Sequence, residues 1–171
     1  MAKFKLFLIL IDGPMGVGKT TVAKLIHEKR SGIAHIGMDR IKKFVSGPKK
    51  KAHRNTSKEI LKLMTGEYLK NGIDVIVEGA FTASRIEKYR KLAKRRGAKF
   101  FVYELRAPFP VTHSRVKERN IRLKKPRFPK ERIHKIYKWH GKNKYTKSIV
   151  LDSHESSAKR IANLILKNTK S

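Results

Sequence analysis

One stretch near the start of the chain leaves little freedom for the rest: Phe4 to Thr21, FKLFLILIDGPMGVGKTT. Phe4 to Ile11 is a nearly unbroken apolar run, the pattern of a strand buried on both faces of a parallel sheet. Gly13-Pro14-Met15-Gly16-Val17-Gly18-Lys19-Thr20 then fits G-x-x-x-x-G-K-[ST], and Thr21 follows it. Val22, Leu25 and Ile26 come next at helical spacing. Strand, glycine loop and helix start thus stand in the order that a phosphate-binding loop requires. Glycines at 13, 16 and 18 let the backbone turn with its N–H groups converging on an anion. Lys19 is expected to reach the β- and γ-phosphates of a nucleotide, and Thr20 to offer its hydroxyl to Mg²⁺.

Charge is the second strong constraint. The 171 residues carry 43 Lys and Arg against 13 Asp and Glu, a net charge of +30. Ion-pair networks need both signs, so most of these bases have no partner in the chain. Such an excess repels itself unless a polyanion shares the surface, which makes nucleic acid, RNA before DNA, the expected partner. A generally lysine-rich proteome is the competing explanation. The chain has no cysteine, which excludes disulfides and thiolate metal sites. No apolar run approaches the ~18 residues of a membrane span, so no membrane partner is expected and the cytoplasm is the default location. The length fits a single domain, 1–171, with a basic region at about 115–147.

Strand and helix patterns alternate along the chain. Ile33 to Met38 is expected as a short strand ending at Asp39, followed by a basic loop, Ser46 to Arg54, with the charge run Lys49-Lys50-Lys51. Asn55 to Lys70 carries Ile60, Leu61, Met64, Tyr68 and Leu69 at helical spacing and stops at Asn71-Gly72. Ile73 to Val77 is a buried strand leading to Glu78. A helix, Ser84 to Arg96, precedes the strand Lys99 to Leu105. Pro108 opens a helix that runs to the break KKPRFPK, Lys124 to Lys130. A helix from Glu131 to Trp139 ends at Gly141. A short strand, Ser148 to Leu151, and a helix, Ser153 to Asn168, complete the chain. This alternation is that of an α/β protein with a doubly wound parallel sheet, whose ligands lie beyond the carboxyl ends of the strands.

Phosphoryl transfer needs a phosphate cradle, a metal, a base for the acceptor, and positive charge on the migrating group. Glu78 at the end of VIVE is placed to hold Mg²⁺ with Thr20; a strand-end carboxylate facing solvent is the alternative. Asp39 in MDRIKK is placed to accept a hydroxyl proton; a helix N-cap is the alternative. Arg40 and Lys42 beside it are candidates for an acceptor phosphate. Arg115, Arg119 and Arg122 lie four and three apart, on one helix face, where they could close over the phosphates as a lid. From Arg115 to Lys147 fourteen bases face only Glu118 and Glu131, with Phe128, Tyr137, Trp139 and Tyr145 interleaved as candidates for base stacking. The seven histidines show no metal-binding spacing, and His134 and His140 are assigned no role.

With GPMGVGKTT, the MDRIKK acid, VIVEG and RVKERNIRLKKPRFP in place, the chain resembles small P-loop kinases of the polynucleotide kinase, chloramphenicol phosphotransferase and zeta toxin group. The resemblance implies a P-loop NTPase fold like that of adenylate kinase, with a five-stranded parallel sheet of order 2-3-1-4-5 and a hinged helical lid. It also implies transfer of the γ-phosphate of ATP, or of another nucleoside triphosphate, to a hydroxyl. Polynucleotide 5′-hydroxyl kinases look closest, through Asp39, the Arg119-Asn120 pair and the spacing to Pro129 and Tyr137. Lys42 stands where those kinases carry an arginine. A kinase for a small hydroxyl compound and an RNA-dependent ATPase are the rival expectations.

Overall fold

The computed structural model describes residues 6–46, 51–124, 128–143 and 145–169. Within them the chain order is β1 (Phe7–Asp12), α1 (Lys19–Lys29), β2 (Ile33–Gly37), the single turn α2 (Met38–Ile41), and α3 (Lys51–Lys70). There follow β3 (Asp74–Glu78), α4 (Ala83–Arg95), β4 (Lys99–Arg106), α5 (Phe109–Arg122), α6 (Lys130–Lys142), β5 (Ile149–Asp152) and α7 (Ala158–Thr169). Among the described residues the sheet has five strands, all parallel, in the order β2-β3-β1-β4-β5. This is the expected architecture and strand order.

The apolar run of β1 occupies the centre because every one of its residues is buried. Its alternation sorts the core into two layers. Phe7, Ile9 and Ile11 face Val22, Ala23 and Ile26 of α1 and Ile161 and Ile165 of α7. Leu8 and Leu10 face the other way, with Leu61 of α3 and Ile86, Tyr89 and Leu92 of α4. A one-residue slip would exchange the layers, so this central strand also fixes the register.

Several boundaries differ from the sequence expectation. Helix α3 begins at Lys51, so its first turn takes in residues expected as loop, and Ser57 Oγ bonds His53 O at 2.8 Å within it. The second strand stops at Gly37, and Asp39 sits on a helical turn rather than at a strand end. Helix α6 passes through Gly141, where a Cβ would meet nothing; the buried Ile133 and His140 hold the helix, and glycine there is no stop. Helix α7 starts five residues later than expected. Asp152 Oδ1 accepts the His154 and Glu155 N–H groups, making a turn first, and Ser157 Oγ accepts from Arg160 N as the helix cap. Asp74, at the start of β3, accepts from Phe7 N at 3.0 Å and Arg30 Nη2 at 2.9 Å, fastening the amino ends of β1 and β3. The Lys49-Lys50 part of the first charge run, Lys125 to Arg127 of the KKPRFPK break, and Lys144 lie outside the described residues.

Candidate active site

At the carboxyl edge of the sheet, the loop from Gly13 to Gly18 turns from β1 into α1, and at Gly13 and Gly16 a Cβ would meet the backbone of neighbouring elements. Gly16 has φ +87°, and a Cβ there would run into the backbone carbonyl of Thr112 on α5. The loop is therefore nested against α5, the helix that carries the three expected arginines. Lys19 Nζ lies over the loop and donates to Gly13 O and Pro14 O, each at 2.8 Å. Desolvation holds the Lys19 ammonium below its usual pKa, against the upward pull of Glu78, Asp12 and Asp39.

Thr20 Oγ1 donates to Glu78 Oε1 at 3.1 Å, joining the first turn of α1 to the end of β3. Burial raises the Glu78 pKa, while Lys19 and the Thr20 hydrogen bond oppose it. Gly37 makes this placement possible: a Cβ there would come within 2.5 Å of Glu78 Oε1. Behind the carboxyl, His35 Nε2 lies 3.9 Å from Oε1 with no hydrogen-bond partner among the described residues. Burial, then the charges of Arg40, His27 and Lys24, push the His35 pKa down to about 4, so this contact is not an ion pair at neutral pH.

One cavity of about 1170 Å³ brings most of the expected residues together. Met15 to Thr21 line it on the loop side, Glu78 at the strand ends, and Asp39 and Lys42 on the α2 side. Arg115, Arg119 and Arg122 close it along α5. Asp39 is open to this space, its side chain 89% exposed, and binds Lys42 Nζ at 3.0 Å. Neighbouring protein bulk works against the Asp39 charge, but Lys42, Lys19 and Arg119 outweigh it and hold the pKa below the usual carboxylate range. Arg119 thus acts electrostatically on both Lys19 and Asp39. Arg115 is differently employed: its Nη2 donates to Ser153 O at 2.9 Å and ties α5 to the turn before α7. Gly13, Pro14 and Arg40 do not line the cavity; Gly13 and Pro14 are buried, and Arg40 is exposed beside Asp39.

Three parts of the site escaped the sequence reading. Arg54 and Lys58 of α3 line the cavity opposite α5. Ser153, His154, Ser156 and Ser157 line it from the turn before α7, and Ala158 from the start of that helix, a stretch expected as helix throughout. At the end of β1, Asp12 is buried and both its carboxylate oxygens are engaged. Its Oδ1 accepts from Phe81 N at 3.0 Å, and its Oδ2 accepts from His140 Nε2 at 3.1 Å. The last residue of β1 thereby holds both the loop after Glu78 and the far end of α6. Tyr137 Oη, which donates to Ala107 O at 3.0 Å, seats the same helix. The only sequence signal was an acid closing an apolar strand in a chain poor in acids.

Glycine loop, desolvated lysine and Thr20–Glu78 pair define a P-loop nucleotide-phosphate site on a P-loop kinase fold. The chain belongs to the AAA_33 family of AAA domains, which matches residues 8–142. Among curated proteins, none matches the sequence. Solved structures with the same fold include the tunicamycin resistance protein of Deinococcus radiodurans, at 19% identity and TM-score 0.64, covering 96% of this chain and 95% of that one. Shikimate kinase from Acinetobacter baumannii, solved in complex with shikimate, has 21% identity and TM-score 0.62, covering 98% and 94%. A chain of the Pnkp1/Rnl/Hen1 RNA repair complex has 15% identity and TM-score 0.71, covering 81% of this chain and 45% of that one. No described helix is long and apolar enough to cross a membrane.

Proposed function

We propose that the protein is an ATP- and Mg²⁺-dependent kinase that transfers the γ-phosphate to a hydroxyl, with a polynucleotide 5′-hydroxyl, RNA before DNA, as acceptor. The observation that carries this reading is the convergence of Lys19, Thr20, Glu78, Asp39 and Arg119 on one cavity. A hydroxyl and a carboxyl 3.1 Å apart suit a hard cation that keeps most of its shell for water and phosphate oxygens. When bound there by Thr20 and Glu78, Mg²⁺ supplies charge neutralisation on the phosphates. The loop amides and Lys19 orient the triphosphate. Asp39, ionised and open to the cavity, takes the proton of the incoming hydroxyl. Arg119, which lines the same cavity as Lys19 and Asp39, stabilises the negative charge that develops on the transferring group. Arg122 stands at the cavity rim to assist it, and Arg115 positions α5 through Ser153. Lys42, with Arg54 and Lys58, gives the acceptor side the positive charge that a phosphate-bearing substrate needs, and the net charge of +30 favours a polyanion over a small hydroxyl compound.

The test is transfer from γ-labelled ATP to matched RNA and DNA oligonucleotides with 5′-hydroxyls, beside a panel of nucleosides, sugars and other small alcohols. Label is expected on the oligonucleotide ends. Asp39→Asn is expected to lower kcat by roughly 10²- to 10⁴-fold with ATP affinity retained, the range for loss of a general base. Full transfer by Asp39→Asn removes the base assignment, and label confined to small acceptors removes the polynucleotide.

A further inference from the structure

Helix α6 has one face committed to the protein and one that is basic and exposed. Ile133 and His140 are buried, and Tyr137 is bonded to Ala107 O, so one side of the helix is fully committed to the protein. On the opposite side Arg132, Lys135, Trp139 and Lys142 recur at intervals of three, four and three, with Lys138 beside them, and all five are exposed. Trp139, the one tryptophan in the chain, is 40% exposed in the middle of this row. Below it the Arg132 guanidinium lies over the Phe128 ring at 4.9 Å. The other aromatic candidates are occupied: Tyr137 by Ala107 O, and Tyr145 by Glu87 Oε2 at 3.2 Å. Glu131, in the first turn, is the single acid of the helix and sits where it complements the helix dipole.

We propose that this face of α6 is a docking track for unpaired RNA, with Lys135, Lys138, Lys142 and Arg132 on successive phosphates and Trp139 stacked on a base. The proposal rests on the polynucleotide acceptor argued above and names where the strand lies beyond its reacting end. Ile136 of the same helix lines the active-site cavity, so a strand on the outer face passes directly beside the site. From Arg132 to Lys142 the track covers about 15 Å of helix axis, room for more than one nucleotide. A lone tryptophan between cations suits the sequence-tolerant stacking and charge pattern of single-strand binders. An anionic membrane is the poorer fit, because the apolar residues that would insert are those already packed into the fold.

Intrinsic fluorescence tests this directly, since Trp139 is the only tryptophan. An unpaired RNA of about 20 nucleotides, longer than the ~4–16 nucleotides of most single-strand sites, is titrated into the full chain. Binding is expected to quench Trp139. Trp139→Ala is expected to weaken affinity roughly 10-fold, measured with end-labelled RNA. Lys135→Ser with Lys142→Ser is expected to flatten the log–log salt dependence by about 1.4, two lost contacts at ~0.7 each. Phosphorylation of a dinucleotide acceptor, too short to reach the track, should be unchanged in both variants. RNA binding without quenching and with unchanged affinity in both variants overturns the track, as does quenching by anionic vesicles but not by RNA. Quenching and weakened variants in a protein that labels only small alcohols would uphold the track while overturning the acceptor assignment.

Discussion

Lys19→Met is expected to cut phosphoryl transfer by about 10³-fold or more, ~4 kcal/mol of transition-state stabilisation. The size of the effect follows from the place of the ammonium. It is desolvated over the loop, with its pKa held down by burial, and a charge in such a setting interacts more strongly with phosphate than a solvated one. Among the described residues, Nζ donates to the Gly13 and Pro14 carbonyls. Losing those bonds costs on the order of 1 kcal/mol each, and methionine keeps the apolar stem. Initial rates with γ-labelled ATP and a thermal melt on the same sample separate the two contributions. A variant within tenfold of the wild-type rate would mean that the loop does not hold the transferred phosphate.

Asp12→Ala is expected to be the most destabilising single change at the carboxyl edge, by roughly 2–5 kcal/mol. The substitution leaves two buried groups, Phe81 N–H and the His140 ring, without their acceptor, each at a cost of about 1–3 kcal/mol. At ~2–4 °C per kcal/mol for a domain of this size, the melting temperature should fall by roughly 5–15 °C. Asp12→Asn separates lost bonding from lost charge: its Oδ1 can still accept from Phe81 N, and its amide can donate to the other tautomer of His140. It should recover a large part of the loss. If Asp12→Ala melts within 2 °C of wild type, about 1 kcal/mol or less, the pair is incidental.

How much of this was legible depended on how local each signal was. The central strand, the glycine loop and the strand ending in Glu78 were readable because composition and spacing within a few residues determine them. Asp39 was found, but its backbone state was not: Ile33 to Ile41 is apolar at intervals that suit both a strand and a turn of helix. The glycine at 141 looked like a stop, and packing of the helix's other face overrode it. Arg54 was hidden in a run that read as loop, and Lys58 in the helix expected to follow it. The Asp12–His140 bond left no trace in the sequence, since no periodicity links residues 128 positions apart. Convergence on one cavity was expected for the arginines of α5 from their spacing alone, yet only the fold distinguished Arg115, tied to Ser153, from Arg119, close in charge to both Lys19 and Asp39.

That bond also has a consequence for the order in which the molecule is made. The strand that anchors the glycine loop leaves the ribosome long before its buried partner on α6 exists. β1 can pair with β3 and β4 in the meantime, but Oδ2 of Asp12 has to remain hydrated until His140 emerges, so the tie between β1 and α6 is finished late in synthesis. A nascent chain arrested before α6 should be cut by protease near Phe81, and resistance should appear once His140 has cleared the exit tunnel. The nucleotide-binding loop is thus assembled early but completed only when most of the chain is present.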